Sequence, residues 1–298
     1  KELIENSLDA ASSQIIVEIL NGGLDLVKVV DNGTGMESAE LGLAFQRHAT
    51  SKLGSDEDLD RVYTLGFRGE ALPSIAAVSQ IEVCTREREV NEGWAMTLDW
   101  GRIMSQGPRG CPPGTSISIS NLFQNVPARR KFLKSNMAEV GRIKEVICRY
   151  AMINPRVGFQ LSVDGRKVIQ SSGGGESQEA IAVVFGVDVA RTLMEVSPEC
   201  SGGVYTLRGY ISPPSLHRSN RRHIIFFVNG RWVRSRMLSV ALEEAYHGLL
   251  PQGRYPLAVL DINVPYEDVD VNVHPAKQEV RFRSDRQVFV TVQRAVRN

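Results

Sequence analysis

"KELIENSLDAAS", residues 1–12, sets Glu2, Glu5, Asn6 and Asp9 close together. On a helix turning about 100° per residue these four fall within one arc about 100° wide. Leu3, Ile4, Leu8, Ala10 and Ala11 fall on the other side. The pattern predicts an amphipathic helix with an apolar back and an acidic front. Glu2 with Glu5, and Glu5 with Asp9, are like-charged helical neighbours, each pair costing roughly 0.2–0.5 kcal/mol. A merely solvated face usually intersperses Lys or Arg. This front is therefore expected to meet something cationic, a metal ion being one choice.

Outward from that helix, "QIIVEIL" (14–20) and "LDLVKVV" (24–30) read as strands joined by a turn at Gly22-Gly23. Residues 37–48 read as helix, and 50–72 as a long loop with a short helix inside, of the kind that is usually functional or disordered in a compact domain. "PSIAAVSQ" reads as a short helix, with Pro73 near its first turn, and "IEVCTR", "WAMTLDW" and "TSISISNL" as antiparallel strands. Residues 135–154 form a strong helical pattern that stops at Pro155. A boundary is expected near 197–203, giving one domain over 1–197 and a second over 198–298. In the second, "YTLRGYIS" reads as a strand and "IIFFVNGRWV" as a hairpin turning at Asn229-Gly230. "SRMLSVALEEAYHGLL" reads as a helix, three further strands follow, and a helix runs from Arg286. Both parts mix helices with antiparallel strands, so the expected class is α+β.

The bulk numbers agree with a folded two-domain chain: 298 residues, 42% hydrophobic, 23% charged. A formal net charge of +1 gives no global basic signature, so any nucleic-acid binding must come from local patches. The four cysteines, Cys84, Cys111, Cys148 and Cys200, are far apart in sequence and form no CxxC pair. That argues against a zinc site or a disulfide framework and for a reducing compartment. No apolar run approaches the roughly 20 residues of a membrane span. The chain starts inside a helical pattern with neither Met nor cap, and reads as a fragment whose N-terminus lies upstream.

Four stretches carry candidate chemistry. In "DNGTGM" (31–36) an Asp ends a strand and is followed by glycines. A lone DNGxG is most simply a turn. A buried Asp, however, is costly unless a donor satisfies it, and the exocyclic amine of a purine is such a donor. In "TLGFRGEAL" (64–72), Gly66 and Gly69 flank Arg68 before a helix whose N–H groups could cradle phosphate. No GxxxxGK[ST] occurs, so it is not a Walker A loop. "RHATSK" (47–52) offers Thr50, Ser51 and Lys52, two hydroxyls and a cation suited to phosphate oxygens. "VNVHPAK" (271–277) ends a strand in a His-Pro turn carrying Lys277.

Taken in order, KELIENSLDA, DNGTGM, RHATSK with LGFRGEAL, and DVNVHPAKQEVRF resemble the N-terminal region of the MutL family of DNA mismatch repair proteins, its bacterial members most. "FQNVPARRKFLKS" (123–135) adds to the likeness, which runs nearly the full chain. The family is one branch of the GHKL ATPases, beside topoisomerase ATPase domains, a heat-shock chaperone and sensor histidine kinases. The resemblance implies an ATP-binding α/β sandwich over 1–197, then a transducer-like domain with a small-ribosomal-protein-like fold. It implies Glu2 as the general base that activates water, and Asn6 as a Mg²⁺ ligand through its amide oxygen. Asp31 would read adenine, with Gly33, Gly35 and Thr115 lining the base pocket. Thr50, Ser51, Lys52, Gly66, Phe67 and the backbone of Arg68, Gly69, Glu70, Ala71 and Leu72 would hold the phosphates as a closing lid. Lys277 would reach the γ-phosphate.

The same resemblance implies ATP-dependent homodimerisation, other mismatch repair proteins as partners, and a cytoplasmic, nucleoid-associated place in a bacterium. The family's C-terminal dimerisation domain falls outside these residues, so no nuclease residue is assigned. For DNA, bound without sequence preference, the candidates are Arg218, Arg221, Arg222, Arg231, Arg234, Arg236 and Arg254, with a second cluster at Arg129, Arg130 and Lys131. A mixed solvated surface is the competing explanation of both clusters. The alternatives for function are another GHKL module of topoisomerase type, or a matchmaker that binds nucleotide without turnover.

Overall fold

The computed structural model describes residues 1–46, 71–197, 204–270 and 280–297. The chain divides into two compact units, Lys1–Val183 and Val184–Asn298. The first contains α1 (Glu2–Asp9), β1 (Gln14–Leu20), β2 (Leu26–Asp31), α2 (Ser38–Ala44), α3 (Ala71–Ala76), β3 (Gln80–Arg86), β4 (Gly93–Asp99), β5 (Arg102–Arg109), β6 (Gly114–Ser120), α4 (Pro127–Arg130), α5 (Asn136–Ile153), β7 (Gly158–Val163) and β8 (Arg166–Gln170). Helix α6 (Ser177–Phe185) crosses the division. The second unit contains α7 (Val187–Thr192), β9 (Met194–Val196), β10 (Thr206–Ile211), β11 (His217–Arg218), β12 (Ile224–Val228), β13 (Arg231–Val233), α8 (Arg236–Ala245), β14 (Tyr255–Pro256), β15 (Ala258–Asn263), β16 (Val269–Asp270), β17 (Arg281–Phe282) and α9 (Asp285–Arg297). The division falls earlier than the boundary read near 197, because β9 pairs with β10 in the second unit's sheet. Among the described residues no helix is long and apolar enough to cross a membrane.

Among the described residues, the first unit is built on an eight-stranded sheet in the order β5-β4-β3-β6-β2-β1-β7-β8. Every pair is antiparallel except β1 with β7, which run parallel. One face is apolar and buried. Ile15, Val17 and Ile19 alternate inward on β1, as do Ile81 and Val83 on β3, Met96 and Leu98 on β4, and Ile117 and Ile119 on β6. The other face is polar. Glu18, Lys28, Ser118, Glu82 and Thr97 stand in one cross-strand row, each opposite the next. Such alternation marks a sheet with helices on one side only.

Helices α1 and α5 close the buried face. Leu3, Ile4 and the partly buried Leu8 of α1 pack into the same core as Ile147, Tyr150 and Ala151 of α5. Ser135 caps α5 by accepting the Ala138 N–H at 3.4 Å, and the helix ends at Ile153, before Pro155. The acidic arc of α1 differs from expectation in one respect. Glu5 does not face outward; its side chain is fully buried. Tyr150 Oη donates to Glu5 Oε1 at 2.5 Å. Lys1 Nζ lies 3.1 Å from Glu5 Oε1 and 3.5 Å from Glu2 Oε1. Lys1 therefore balances the two like charges that the sequence left unmatched, and a buried carboxylate gains the partners it needs.

The second unit's main sheet has the order β13-β12-β15-β10-β9 among the described residues, antiparallel except for β12 with β15. Its central strands are apolar runs rather than alternations, IIFFV on β12 and AVL at the start of β15, because both faces are buried. Helices α8 and α9 supply Leu238, Ala241, Leu242, Val288, Val292 and Ala295 to its core. The Asn229-Gly230 turn forms as expected, with both residues at positive φ. Buried Asp261 locks it: Gly230 N–H donates to Asp261 Oδ1 at 3.1 Å, and Arg208 Nη2 to Oδ2 at 2.9 Å. The Asn229 side chain also exchanges two 2.9 Å hydrogen bonds with the Val264 backbone.

The sequence expectation erred by omission at the sheet margins. Strand β5 was not anticipated, since its side chains are nearly all exposed and carry no alternating pattern. Nor were β7, β8 and β9, or the helices α6 and α7. The helix read over 37–48 spans only Ser38–Ala44.

A hydrogen bond to a carboxylate contributes about 1.5–3 kcal/mol. Tyr150→Phe should therefore lower the unfolding free energy by ~1.5–3 kcal/mol in urea denaturation. An unchanged midpoint would show that Glu5 does not depend on this hydroxyl.

Candidate active site

Asp31 ends β2 and points its carboxylate into a ring of donors from three segments. Ser7 Oγ on α1 donates to Oδ2 at 2.8 Å. Gly33 N–H, in the following turn, donates to Oδ1 at 3.0 Å, and Thr115 N–H on β6 at 3.3 Å. These bonds fix the carboxylate's plane. Among the described residues Oδ2 receives a single hydrogen bond, which leaves acceptor capacity for a further donor.

The backbone around it is packed too tightly for side chains. Gly35 has φ of +77°, and a Cβ there would lie 2.2 Å from the Arg86 carbonyl oxygen. Gly114 has φ of +107°, and its Cβ would lie 2.1 Å from the Asp31 carbonyl oxygen. The turn continues with Thr34 N–H donating to the Ala10 carbonyl at 2.9 Å, so residues 31–35 are tied to the end of α1. Asn32 adds to this by accepting from the Ser13 and Gln14 N–H groups, each at 2.9 Å.

Glu2 and Asn6 lie one turn apart on α1, both half-buried. The rigid link between Asp31 and this pair is Ser7, the next residue after Asn6. Thr85 is a further member that the sequence reading missed. It is buried on β3; its hydroxyl accepts from Met36 N–H at 2.9 Å, donates to the Gly114 carbonyl at 3.2 Å, and meets the Thr115 hydroxyl at 3.0 Å. Ser7 was missed as well. The signal for it was a hydroxyl in the middle of the apolar arc of α1, where an unpartnered polar group is costly.

Of the remaining candidates, Ala71 and Leu72 open the described part of α3, and Leu72 packs on the core. Thr50, Ser51, Lys52, Gly66, Phe67, Arg68, Gly69, Glu70 and Lys277 lie outside the described residues. The arginines of the second unit divide. Arg222, Arg234, Arg236 and Arg254 are exposed, with Arg234 stacked on Trp232 at 5.0 Å. Arg221 makes a bidentate pair with Glu243, at 2.6 and 2.8 Å, and lies over the Tyr255 ring. Arg218 is half-buried and donates to the His217 carbonyl at 3.3 Å. Arg231 corrects the expected surface cluster: it is 4% exposed, so packing removes it from any surface patch. Arg129, Arg130 and Lys131 are exposed at and just after α4.

Thr85→Val preserves shape but strands the Met36 N–H without its acceptor, a loss of about 1–3 kcal/mol. Thr85→Ser should cost much less. Urea unfolding of the two variants checks this, and equal losses would mean that the methyl, not the hydroxyl, matters.

Residues 1–130 match the family of histidine kinase-, DNA gyrase B- and HSP90-like ATPases. Residues 181–298 match the family of the DNA mismatch repair protein, C-terminal domain. The DNA mismatch repair protein MutL of Desulforudis audaxviator is 48% identical over 297 residues, which is 100% of this chain and 52% of that protein. MutL of Symbiobacterium thermophilum is 45% identical over 298 residues, 100% of this chain and 47% of that protein. The chain thus spans about half the length of the curated relatives it matches. Among solved structures, the N-terminal domain of a DNA repair protein aligns with a TM-score of 0.81 at 25% identity, covering 99% of this chain and 91% of that one. The Aquifex aeolicus MutL ATPase domain complexed with ADP aligns with a TM-score of 0.64 at 29% identity, covering 89% of each chain. With an ATPase fold of the GHKL type in its first part and the mismatch-repair C-terminal-type domain in its second, the chain belongs to the MutL family of DNA mismatch repair proteins.

Proposed function

We propose that this chain is the ATP-binding and slowly hydrolysing part of a mismatch repair protein. The observation that carries the reading is the Asp31 carboxylate, held by Ser7, Gly33 and Thr115 with acceptor capacity remaining on Oδ2. A fixed acceptor of this kind suits the 6-amino group of adenine. Gly35 and Gly114 let the Arg86 and Asp31 backbone close in on either side of that acceptor, which keeps the carboxylate in one place. The likeness in fold and sequence to the Aquifex aeolicus MutL ATPase domain complexed with ADP supports an adenine nucleotide as the ligand.

Glu2 is the general base in this reading. Its carboxylate takes a proton from water as the water attacks the terminal phosphorus, and the products are ADP and phosphate. Asn6 fits a Mg²⁺ ligand, because a neutral amide oxygen adds no charge to a site whose phosphates already supply it. Among the described residues no group of three or more His, Cys, Asp or Glu could cage a metal ion. A single neutral protein donor such as Asn6 suits Mg²⁺, which keeps several waters and shares phosphate oxygens. When bound, the ion would neutralise phosphate charge. The part of this chain is to present Asn6 and Glu2 on one helical arc, at a spacing from Asp31 that Ser7 sets.

Membership of the MutL family favours this reading over a topoisomerase-type module. In the whole protein, ATP binding would be coupled to dimer closure and to engagement of DNA and other repair proteins. Arg222, Arg234 and Arg236, with Arg129, Arg130 and Lys131, are exposed and would meet phosphates without reading sequence, so affinity for DNA should fall steeply with salt.

The decisive experiment is phosphate release by full-length protein carrying Glu2→Ala. A positioned general base contributes roughly 10²–10⁴-fold, so turnover should fall by that factor while ATP affinity stays nearly unchanged. Unchanged turnover removes Glu2 from the role, and an unmutated protein that binds ATP without releasing phosphate would be a non-hydrolysing matchmaker.

A further inference from the structure

Cys84, Cys111 and Cys148 all carry free thiols. Cys148 lies on α5 against the core and meets neither of the others in the fold's layering. Cys84 and Cys111, 27 positions apart in sequence, are brought to one spot. Val83 and Thr85 on either side of Cys84 are buried, so Cys84 projects from the outer face of β3. There it stands opposite Ala95 of β4 and Ser116 of β6.

Cys111 follows β5 and folds back over β4. Its Sγ lies only 2.4 Å from where a Cβ on Gly93 would be. Gly93 is two residues from Ala95 and on the same face, so Cys111 fills the space of a missing side chain diagonally beside Cys84. The Cys111 carbonyl is held by Arg86 Nε at 2.6 Å, which fixes this part of the connection to β3. The Cys111 thiol is close enough to Cys84 to act on its protonation. Burial first, and the neighbouring Cys111 thiol next, push the Cys84 thiol up to about 11. Both residues are partly exposed, so a small reagent can reach them.

We infer that Cys84 and Cys111 are a modification site: a dithiol on the outer face of the sheet that closes to an intramolecular disulfide when it meets a small-molecule disulfide. In the first exchange the Cys111 thiolate attacks one sulfur of the reagent, forms a mixed disulfide, and expels one reagent thiol. In the second the Cys84 sulfur, after losing its proton, attacks Cys111 Sγ and expels the other. Two cysteine thiols are oxidised and one reagent disulfide is reduced to two thiols. The bridge would tie β3 to the connection that leads through Pro112 and Pro113 into Gly114 and Thr115, the backbone beneath Asp31. This rests on the packing of β3, β4 and the β5–β6 connection, and it stands whether or not the chain hydrolyses ATP.

The test treats the full chain with oxidised glutathione, quenches with acid, and maps peptides without reduction. Expected are a monomer about 2 Da lighter, from loss of two hydrogens, and a single crosslinked peptide pair joining Cys84 to Cys111. That pair should be absent from Cys84→Ser and from Cys111→Ser but retained in Cys148→Ser. Cys111→Ser lies on a surface connection and keeps the test valid if Cys84→Ser folds poorly. The inference is overturned if both thiols stay alkylatable, if glutathione stays bound at either cysteine without closure, or if crosslinks form between chains or to another cysteine.

Discussion

The hydrogen bond from Ser7 Oγ to Asp31 Oδ2, 2.8 Å long, joins the first helix to the second strand, and the arrangement of the site depends on it. Helix α1 carries Glu2 and Asn6; strand β2 carries Asp31. Without a fixed link, two such elements could slide by a fraction of a turn and still bury the same apolar side chains. A buried hydroxyl facing a carboxylate removes that freedom, because any slip strands the Ser7 hydroxyl and takes from Asp31 Oδ2 its hydrogen bond. Thr34 N–H on the Ala10 carbonyl and Asn32 on the Ser13 and Gln14 amides repeat the constraint at the backbone level. Precision of this kind suits the proposed site, which would read a base at one end and position water at the other.

The second constraint comes from beneath the helix. Glu5 is a buried carboxylate in a fold that could have placed an apolar residue there. Its partners, Tyr150 from α5 and Lys1 from the start of α1, hold the helix in rotation as well as position. Lys1 reaches Glu2 as well, so the same cation links the buried Glu5 of the acidic arc to half-buried Glu2. The second unit uses the same device independently. Asp261, buried on β15, holds the Asn229-Gly230 turn and Arg208, which pins β12, β13 and β10 in one register.

Where the sequence was legible, a local physical signal existed. The amphipathic arc of 1–12, the alternation of β1, the Asn-Gly hairpin and the Pro155 stop each act within a few residues, and each appears in the structure. Strand β5 was invisible because an exposed edge strand has no buried face to impose a period. Strands β7 and β8 were passed over although Phe159, Leu161 and Ile169 are buried. The MutL-family motifs marked Asp31, Gly33, Gly35 and Thr115, and the structure brings these four together. Thr85 was not legible, since a single hydroxyl in a strand gains meaning only from what lies across the sheet, whereas Ser7 carried a signal as a hydroxyl inside the apolar arc of α1. Arg231 shows the reverse: its charge suggested surface, and only the packing of β13 shows that it is buried.

The central claim is that Asp31, as Ser7, Gly33 and Thr115 hold it, is the group that reads the purine. It is tested most directly by calorimetric titration of the protein, with Mg²⁺ present, using ATP and the triphosphate of purine riboside, which lacks the 6-amino group. A charge-assisted hydrogen bond of about 1.5–3 kcal/mol corresponds to roughly 10–150-fold weaker binding of the analogue. In Asp31→Asn protein that difference should shrink sharply. Equal affinity of the unmutated protein for the two nucleotides would contradict the account at its base.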